Sequence, residues 1–266
     1  MSSGPLQRYN DLESVTLFDE FSLLALLTVG AVSFGAAVIG GLGGAGVSLM
    51  LVPLLAPILG IKSVIPMMTV AMVLGNSSRI WAFWKGVNFR VGMQFYLPAI
   101  PGLFIGVSVY NYLPERALYG LLGFMLVVMV PLRRYLDGRQ FHLSPRGVST
   151  VGAAYGVING SMTGTGGILV GTLLGAGLQG GALIATKAVI GVGQAIVKIT
   201  MFSFYGLLTL EYALAGLMIG VCMIPGAFLA RWIIERVNLR RHTLFIEGVI
   251  ILGGLSLMWR FFRFDS

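Results

Sequence analysis

The chain has 266 residues, of which 56% are hydrophobic and 11% are charged, with a formal net charge of +8. Soluble domains carry about a quarter charged residues, whereas here no Asp or Glu occurs between Glu20 and Glu115. The composition excludes an ordinary soluble domain and predicts an integral protein of the lipid bilayer. Most Lys and Arg residues lie in short loops, where they orient helices in a membrane, so no nucleic-acid partner is implied.

Apolar runs follow one another along the chain, and each predicts a helix. A helix needs about 20 residues to cross the hydrocarbon, and the second, sixth and seventh runs are shorter. Glycine clusters separate the first run from the second and the sixth from the seventh, so we expect each pair to be a re-entrant hairpin or a pair of short helices. The ten runs are 21–41, 46–60, 64–84, 92–112, 117–132, 148–162, 166–179, 183–205, 211–231 and 243–260.

The chain contains an internal repeat of two halves joined by a basic linker. We therefore divide it into a polar N-terminal segment (1–20), a first repeat (21–132), the linker (133–147) and a second repeat (148–266). Each repeat is predicted to be a glycine-broken hairpin followed by three transmembrane helices. The paired segments are VIGGLGGAGVSLMLV (38–52) with VINGSMTGTGGILVG (157–171), FWKGVNF (83–89) with FSFYGLLTL (202–210), and AIPGLFIG (99–106) with CMIPGAFLA (222–230).

Basic residues predict the orientation of the helices. Cytoplasmic loops are enriched in Lys and Arg, so the 133–147 loop is placed in the cytoplasm and the N-terminus outside. An odd number of segments in each half makes the two repeats inverted, an arrangement typical of secondary transporters. The predicted fold is thus an all-α polytopic membrane protein of two inverted repeats.

Polar side chains interrupt two of the apolar runs at matching places. Asn76 and Arg79 lie in the third run, and Lys187, Gln194 and Lys198 lie in the eighth. Their spacings put each group on one helix face. Because a charge at the bilayer centre costs about 3 kcal/mol or more, such residues usually face a cavity. We interpret the three cations and two amides as an anion-binding cavity; the alternative is that the cations extend to the membrane interfaces.

The stretch GLGGAG (41–46) matches the dinucleotide-binding pattern G-x-G-x-x-G. A nucleotide site would need a preceding strand and an acid about 20 residues later; the acid is missing, and the second copy, GSMTGTGG (160–167), breaks the pattern. Close helix packing is one alternative. Paired glycine breaks in two inverted halves instead favour a transporter site whose free N–H groups bind an anion. The candidate residues are Gly43, Gly44, Gly46, Thr163, Thr165, Gly166 and Gly167.

The segments GLGGAGVSLMLVPLL and GSMTGTGGILVGTLL, each followed by an apolar helix, a short loop with KGVNF or YGLLTLE, and helices with Pro-Gly, resemble the TauE/SafE family of sulfite exporters. The second segment lacks a counterpart of Pro53. The resemblance implies outward movement of a small sulfur-containing anion, sulfite or an organosulfonate, across the bacterial inner membrane.

The predicted function is export of such an anion by alternating access. The alternatives are an anion channel or uniporter for another small anion, a non-transport membrane assembly protein, and an intramembrane serine protease. The last would need Ser48 beside a histidine within the bilayer, whereas His142 and His242 are predicted to lie in loops. We expect no catalytic residue, no metal and no cofactor. The expected partners are the anion and the lipid bilayer, and the many small residues are compatible with a homodimer.

Overall fold

The computed structural model describes residues 30–38, 48–137, 142–234 and 240–263, and the regular structure of these residues is entirely helical. Each of the ten apolar runs overlaps one described α-helix, which confirms the all-α prediction. The N-terminal segment 1–20 lies outside the described residues. The helices are α1 (30–38), α2 (Ser48–Leu59), α3 (Ile61–Ala82), α4 (Phe89–Tyr112), α5 (Glu115–Asp137), α6 (Pro145–Ser161), α7 (Gly166–Gly175), α8 (Gly180–Phe204), α9 (Leu210–Ile234) and α10 (Arg240–Arg263), with a short 3₁₀ turn at Trp84–Gly86.

Polar caps set several of the helix boundaries. The side chain of Asn88 accepts a hydrogen bond from the backbone N–H of Val91 at the start of α4. Ser144 accepts from the N–H of Gly147 at the start of α6, with Pro145 in the first turn. Asn and Ser are preferred at helix starts because their side chains satisfy N–H groups that would otherwise be unpaired. Pro is preferred in the first turn because it has no N–H group to leave unpaired. Gly60, at φ 79°, separates α2 from α3 without the steric cost that another residue would meet.

Three of the described helices are long and apolar enough to cross a membrane: Phe89–Tyr112, Glu115–Leu132 within α5, and Gly180–Phe204. Large apolar side chains cover the outside of the helix bundle, as a lipid-facing surface requires, among them Leu97, Phe124, Ile196, Leu252 and Trp259. In contrast, α7 has 10 residues, which correspond to about 15 Å. It cannot span the hydrocarbon alone. The described part of α2 has 12 residues.

The helices approach one another through glycines. On α6, Gly152, Gly156 and Gly160 recur every fourth residue and face the backbone of α4. A Cβ added at Gly160 would lie 2.6 Å from the carbonyl oxygen of Leu103, and one at Gly102 would lie 2.6 Å from that of Ala153. Small residues at this spacing allow backbone contact between membrane helices. The seam fixes α6 along α4, and α9 packs in a similar way on α3.

Helices α6 and α7 form a hairpin. The backbone N–H of Leu143, just before α6, donates to the carbonyl oxygen of Gly175 at the end of α7, at 2.7 Å. The two ends of the pair therefore meet, and the turn at residues 162–165 lies at the far end. That turn faces α8, which also packs on α3.

Candidate functional site

A cavity of about 170 Å³ lies between α3, α8 and the turn of the α6–α7 hairpin. The structure brings most of the residues predicted from the sequence to its wall. Gly167 belongs to the first turn of α7 but does not line the cavity. Gly43, Gly44 and Gly46 lie outside the described residues. The predicted residues on the wall are Asn76, Arg79, Thr163, Thr165, Gly166, Lys187, Gln194 and Lys198.

Helix α3 contributes an amide and a cation that interact with each other. Arg79 Nη1 donates to Asn76 Oδ1 at 3.2 Å, as their spacing of three residues allows. The amide of Asn76 lies directly over Gly191 of α8, where an added Cβ would be 2.6 Å from Asn76 Nδ2. The absence of a side chain at Gly191 therefore makes room for Asn76 between the two central helices.

Lys198 holds the end of α6. Its ammonium donates to the carbonyl oxygens of Asn159, at 2.8 Å, and Met162, at 3.1 Å, and the side chain is 5% exposed. The last carbonyls of a helix lack partners within the helix and carry the negative end of its dipole. An ammonium has three N–H groups, and two of them are used here. Lys198 thus stabilises the break in the hairpin as well as adding charge to the cavity.

The beginning of α7 carries the opposite polarity. Thr165 occupies the N-cap position, but its side chain makes no capping hydrogen bond, and the next residue, Gly166, lines the cavity. The N-terminus of a helix presents N–H groups and a positive dipole end, which attract anions. The described part of α2 begins with Ser48, which lines the same cavity. The end of α6, which carries the negative end of its helix dipole, is therefore bound by Lys198. The start of α7, which carries the positive end of its dipole, faces the cavity.

A hydrogen-bonded chain crosses from the hairpin to α8. Thr165 Oγ1 lies 3.0 Å from the hydroxyl of Tyr155 and 2.9 Å from Asn159 Oδ1. Asn159 Nδ2 then donates to Gln194 Oε1 at 3.1 Å. Tyr155 and Asn159 were not among the residues predicted from the sequence. Asn159 is a polar residue within an apolar run, which is the signal that identified Asn76 and Gln194, so the same criterion applied to the sixth run would have found it.

The amide nitrogen of Gln194 ends this chain without a partner. Gln194 is 4% exposed, and its Nε2 makes no hydrogen bond to any described residue. Buried polar groups in folded proteins are nearly always paired, and an unpaired one requires an explanation such as a bound ligand or water. Gln194 lines the cavity, so an acceptor bound there would supply the missing partner.

The charges on the wall have one sign. Arg79, Lys187 and Lys198 line the cavity, and the described lining contains no Asp or Glu. Lys187 and Lys198 are separated by about 16 Å along α8. Apolar side chains, including Met68, Met72 and Leu169, form much of the remaining wall. Within the described ranges, no group of three His, Cys, Asp or Glu residues could hold a metal ion.

Apolar helices around a cation-lined cavity define a polytopic helical membrane protein with a polar site between its helices. The profile of the family described as sulfite exporter TauE/SafE matches residues 29–257, and the chain belongs to this family of membrane transporters. The resemblance inferred from the glycine segments is thereby confirmed. No curated protein and no solved structure matches the chain.

Proposed function

We propose that the protein exports a small sulfur-containing anion, sulfite or an organosulfonate, through the cavity between α3 and α8. The observation that carries this proposal is the amide nitrogen of the buried Gln194, which has no hydrogen-bond partner among the described residues although Gln194 lines a cavity with three cations on its wall. Hydrogen-bond donors and positive charges together favour an oxyanion. The open N-terminal end of α7 adds backbone dipole of the same sign.

The contacts between helices support two inverted repeats with the boundaries 21–132 and 148–266. Under the repeat, α1–α5 correspond to α6–α10. The packing of α4 on α6 corresponds to that of α9 on α1, where a Cβ at Gly226 would lie 2.8 Å from the carbonyl oxygen of Phe34. Likewise α9 packs on α3 as α4 packs on α8, and α10 packs on α2 as α5 packs on α7. In alternating access, the two halves rock around a site between α3 and α8.

We propose the inner membrane as the location, with the basic 133–147 loop in the cytoplasm and the N-terminus outside. The basic composition of the loop supports this orientation. An inside-negative potential then favours anion efflux by about 2.3 kcal/mol per charge per 100 mV. Export of an anion therefore requires no coupling ion.

Flux of labelled sulfite from proteoliposomes tests the proposal. We expect saturable flux that falls at least about tenfold in Gln194→Met, because a buried hydrogen bond to a charged group contributes about 1.5–3 kcal/mol. Arg79→Gln should reduce it similarly. The matched controls are Gln179→Met and Arg90→Gln, which make the same changes at exposed positions.

Three outcomes contradict the proposal in different ways. Unchanged flux in Gln194→Met and Arg79→Gln would overturn the site. Flux that rises linearly with concentration would indicate a channel, the alternative named above. An absence of sulfite and organosulfonate flux in the native protein, reconstituted and folded, would overturn export of this substrate class.

A further inference from the structure

The side-chain amides on the cavity wall all have their carbonyl oxygens occupied by the protein. Asn76 Oδ1 accepts from Arg79 Nη1, Gln194 Oε1 accepts from Asn159 Nδ2, and Asn159 Oδ1 lies 2.9 Å from Thr165 Oγ1. An amide has one acceptor oxygen and one donor NH₂ group. In Asn76 and Gln194 the oxygen is thus turned toward a protein partner and the NH₂ group is the end left for a ligand, whereas the Asn159 NH₂ group already donates to Gln194.

The orientation of the Gln194 amide follows from the hydrogen bonds that link Thr165, Asn159 and Gln194. Thr165 Oγ1 donates to Asn159 Oδ1 at 2.9 Å. The Asn159 amide therefore presents its Nδ2 to Gln194. Gln194 accepts through Oε1, and its two N–H groups remain without partners among the described residues.

From this pattern we infer that the Asn76 and Gln194 amides form a subsite selective for a fully deprotonated XO₃ head group. A head group of the same charge and shape that retains an O–H is rejected, because these amides offer its proton no acceptor. Arg79 and the lysines also only donate. The hydroxyls of Ser48 and Thr163 line the cavity too, but a hydroxyl donates as readily as it accepts, so they do not reverse the preference. This inference rests on the proposed function, since it requires that the cavity bind an anion.

Tyr155, Thr165 and Asn159 are positioning residues in this arrangement. Thr165 is 1% exposed and Tyr155 is 3% exposed, so water does not compete for their hydrogen bonds. Removal of the Thr165 hydroxyl frees Asn159 Oδ1, and the Asn159 amide can then rotate. Gln194 is in turn free to present its oxygen to the cavity. Selectivity against O–H groups thus depends on a residue that acts through two others.

Methanesulfonate and methylphosphonate provide a matched pair of probes. At a mildly acidic pH each carries one negative charge and one methyl group, but only methylphosphonate retains an O–H. We expect the purified native protein to bind methanesulfonate about 5- to 150-fold more tightly, the range that corresponds to one unpaired buried polar group. Isothermal titration calorimetry measures both affinities. At higher pH methylphosphonate loses its last proton, and the preference should shrink.

The variant Thr165→Val should bring the affinity ratio of the two probes close to one at the acidic pH. Thr200→Val is the matched control, because Thr200 is exposed and lies outside the cavity wall. This variant should keep the native affinity ratio. Equal affinities in the native protein would overturn the inference but leave an anion site in place. If Thr165→Val kept the native affinity ratio of the two probes, the role of the hydrogen bonds from Thr165 through Asn159 to Gln194 would be overturned. Absence of binding of both probes to folded protein would overturn the anion cavity and, with it, the proposed function.

Discussion

Lys198→Met separates two roles of the same ammonium, as an anchor for the end of α6 and as a charge that binds the anion. Methionine has a similar length but no donor, so the carbonyl oxygens of Asn159 and Met162 lose their hydrogen bonds from the Lys198 ammonium. Each hydrogen bond from a charged group contributes about 1.5–3 kcal/mol, or about 3–6 kcal/mol for two. Against this, the variant avoids about 3 kcal/mol for burying a cation within the membrane. The middle of these ranges leaves a net loss of about 1.5 kcal/mol.

This loss is measurable without any substrate. For chains of this size, the unfolding midpoint shifts by about 2–4 °C per kcal/mol of lost stability. The midpoint of the anion-free protein in detergent should therefore fall by about 3–6 °C. Lys85→Met is the control, because Lys85 is exposed and the same change there should leave the midpoint within about 1 °C. A Lys198→Met variant with the native midpoint and weakened anion binding would refute the anchoring role, since the ammonium would then act on the ligand alone.

Two further predictions concern the packing that positions the cavity. Gly156→Ala should lower stability by about 1–3 kcal/mol, because its Cβ would lie within 3.0 Å of backbone atoms of α4. Gly248→Ala, whose Cβ would meet no atom of the described residues within 4 Å, should be neutral or slightly stabilising. Tyr110→Phe should lower the free energy of unfolding by about 1–3 kcal/mol, because the buried Tyr110 hydroxyl donates to a backbone carbonyl at the start of α3 at 3.1 Å. Tyr112→Phe, at an exposed position, should have little effect. Thermal unfolding in detergent compares each pair.

Either result can fail in an informative way. If Gly156→Ala and Gly248→Ala shift the midpoint equally, the close approach of α6 to α4 does not limit stability. If Tyr110→Phe shifts the unfolding midpoint no more than Tyr112→Phe does, the hydrogen bond from the Tyr110 hydroxyl that joins α4 to α3 makes no net contribution to stability.

The broken hairpin gives the cavity its polarity. In a continuous helix, the carbonyls at Asn159 and the N–H groups near Gly166 would bond within the helix. The break exposes both sets, and Lys198 binds the carbonyls, so the N–H groups are the ones left facing the cavity. Under the proposed function, the placement of a single lysine on α8 accounts for the preference of the break for an anion over a cation.

The sequence by itself determined the helices and the polar faces of α3 and α8. Apolar runs of about 20 residues can satisfy their backbone in lipid only as helices, and the spacing of Asn76 with Arg79, or of Gln194 with Lys198, places each pair on one face through local geometry. The family followed from the glycine segments for the same reason, since these motifs are contiguous in the chain.

The tertiary structure alone decided which of these groups are committed to the protein and which face the cavity. Lys198 was predicted as an anion ligand, and the structure adds that its ammonium binds two carbonyls of a helix end 36 and 39 residues away. The role of Asn159 and the direction of the Gln194 amide depend on contacts across helices, which the periodicity of one helix does not contain. Such hydrogen bonds form only when the glycine seam brings α6 against α4 and the hairpin turn against α8, and that packing is a property of the assembled bundle.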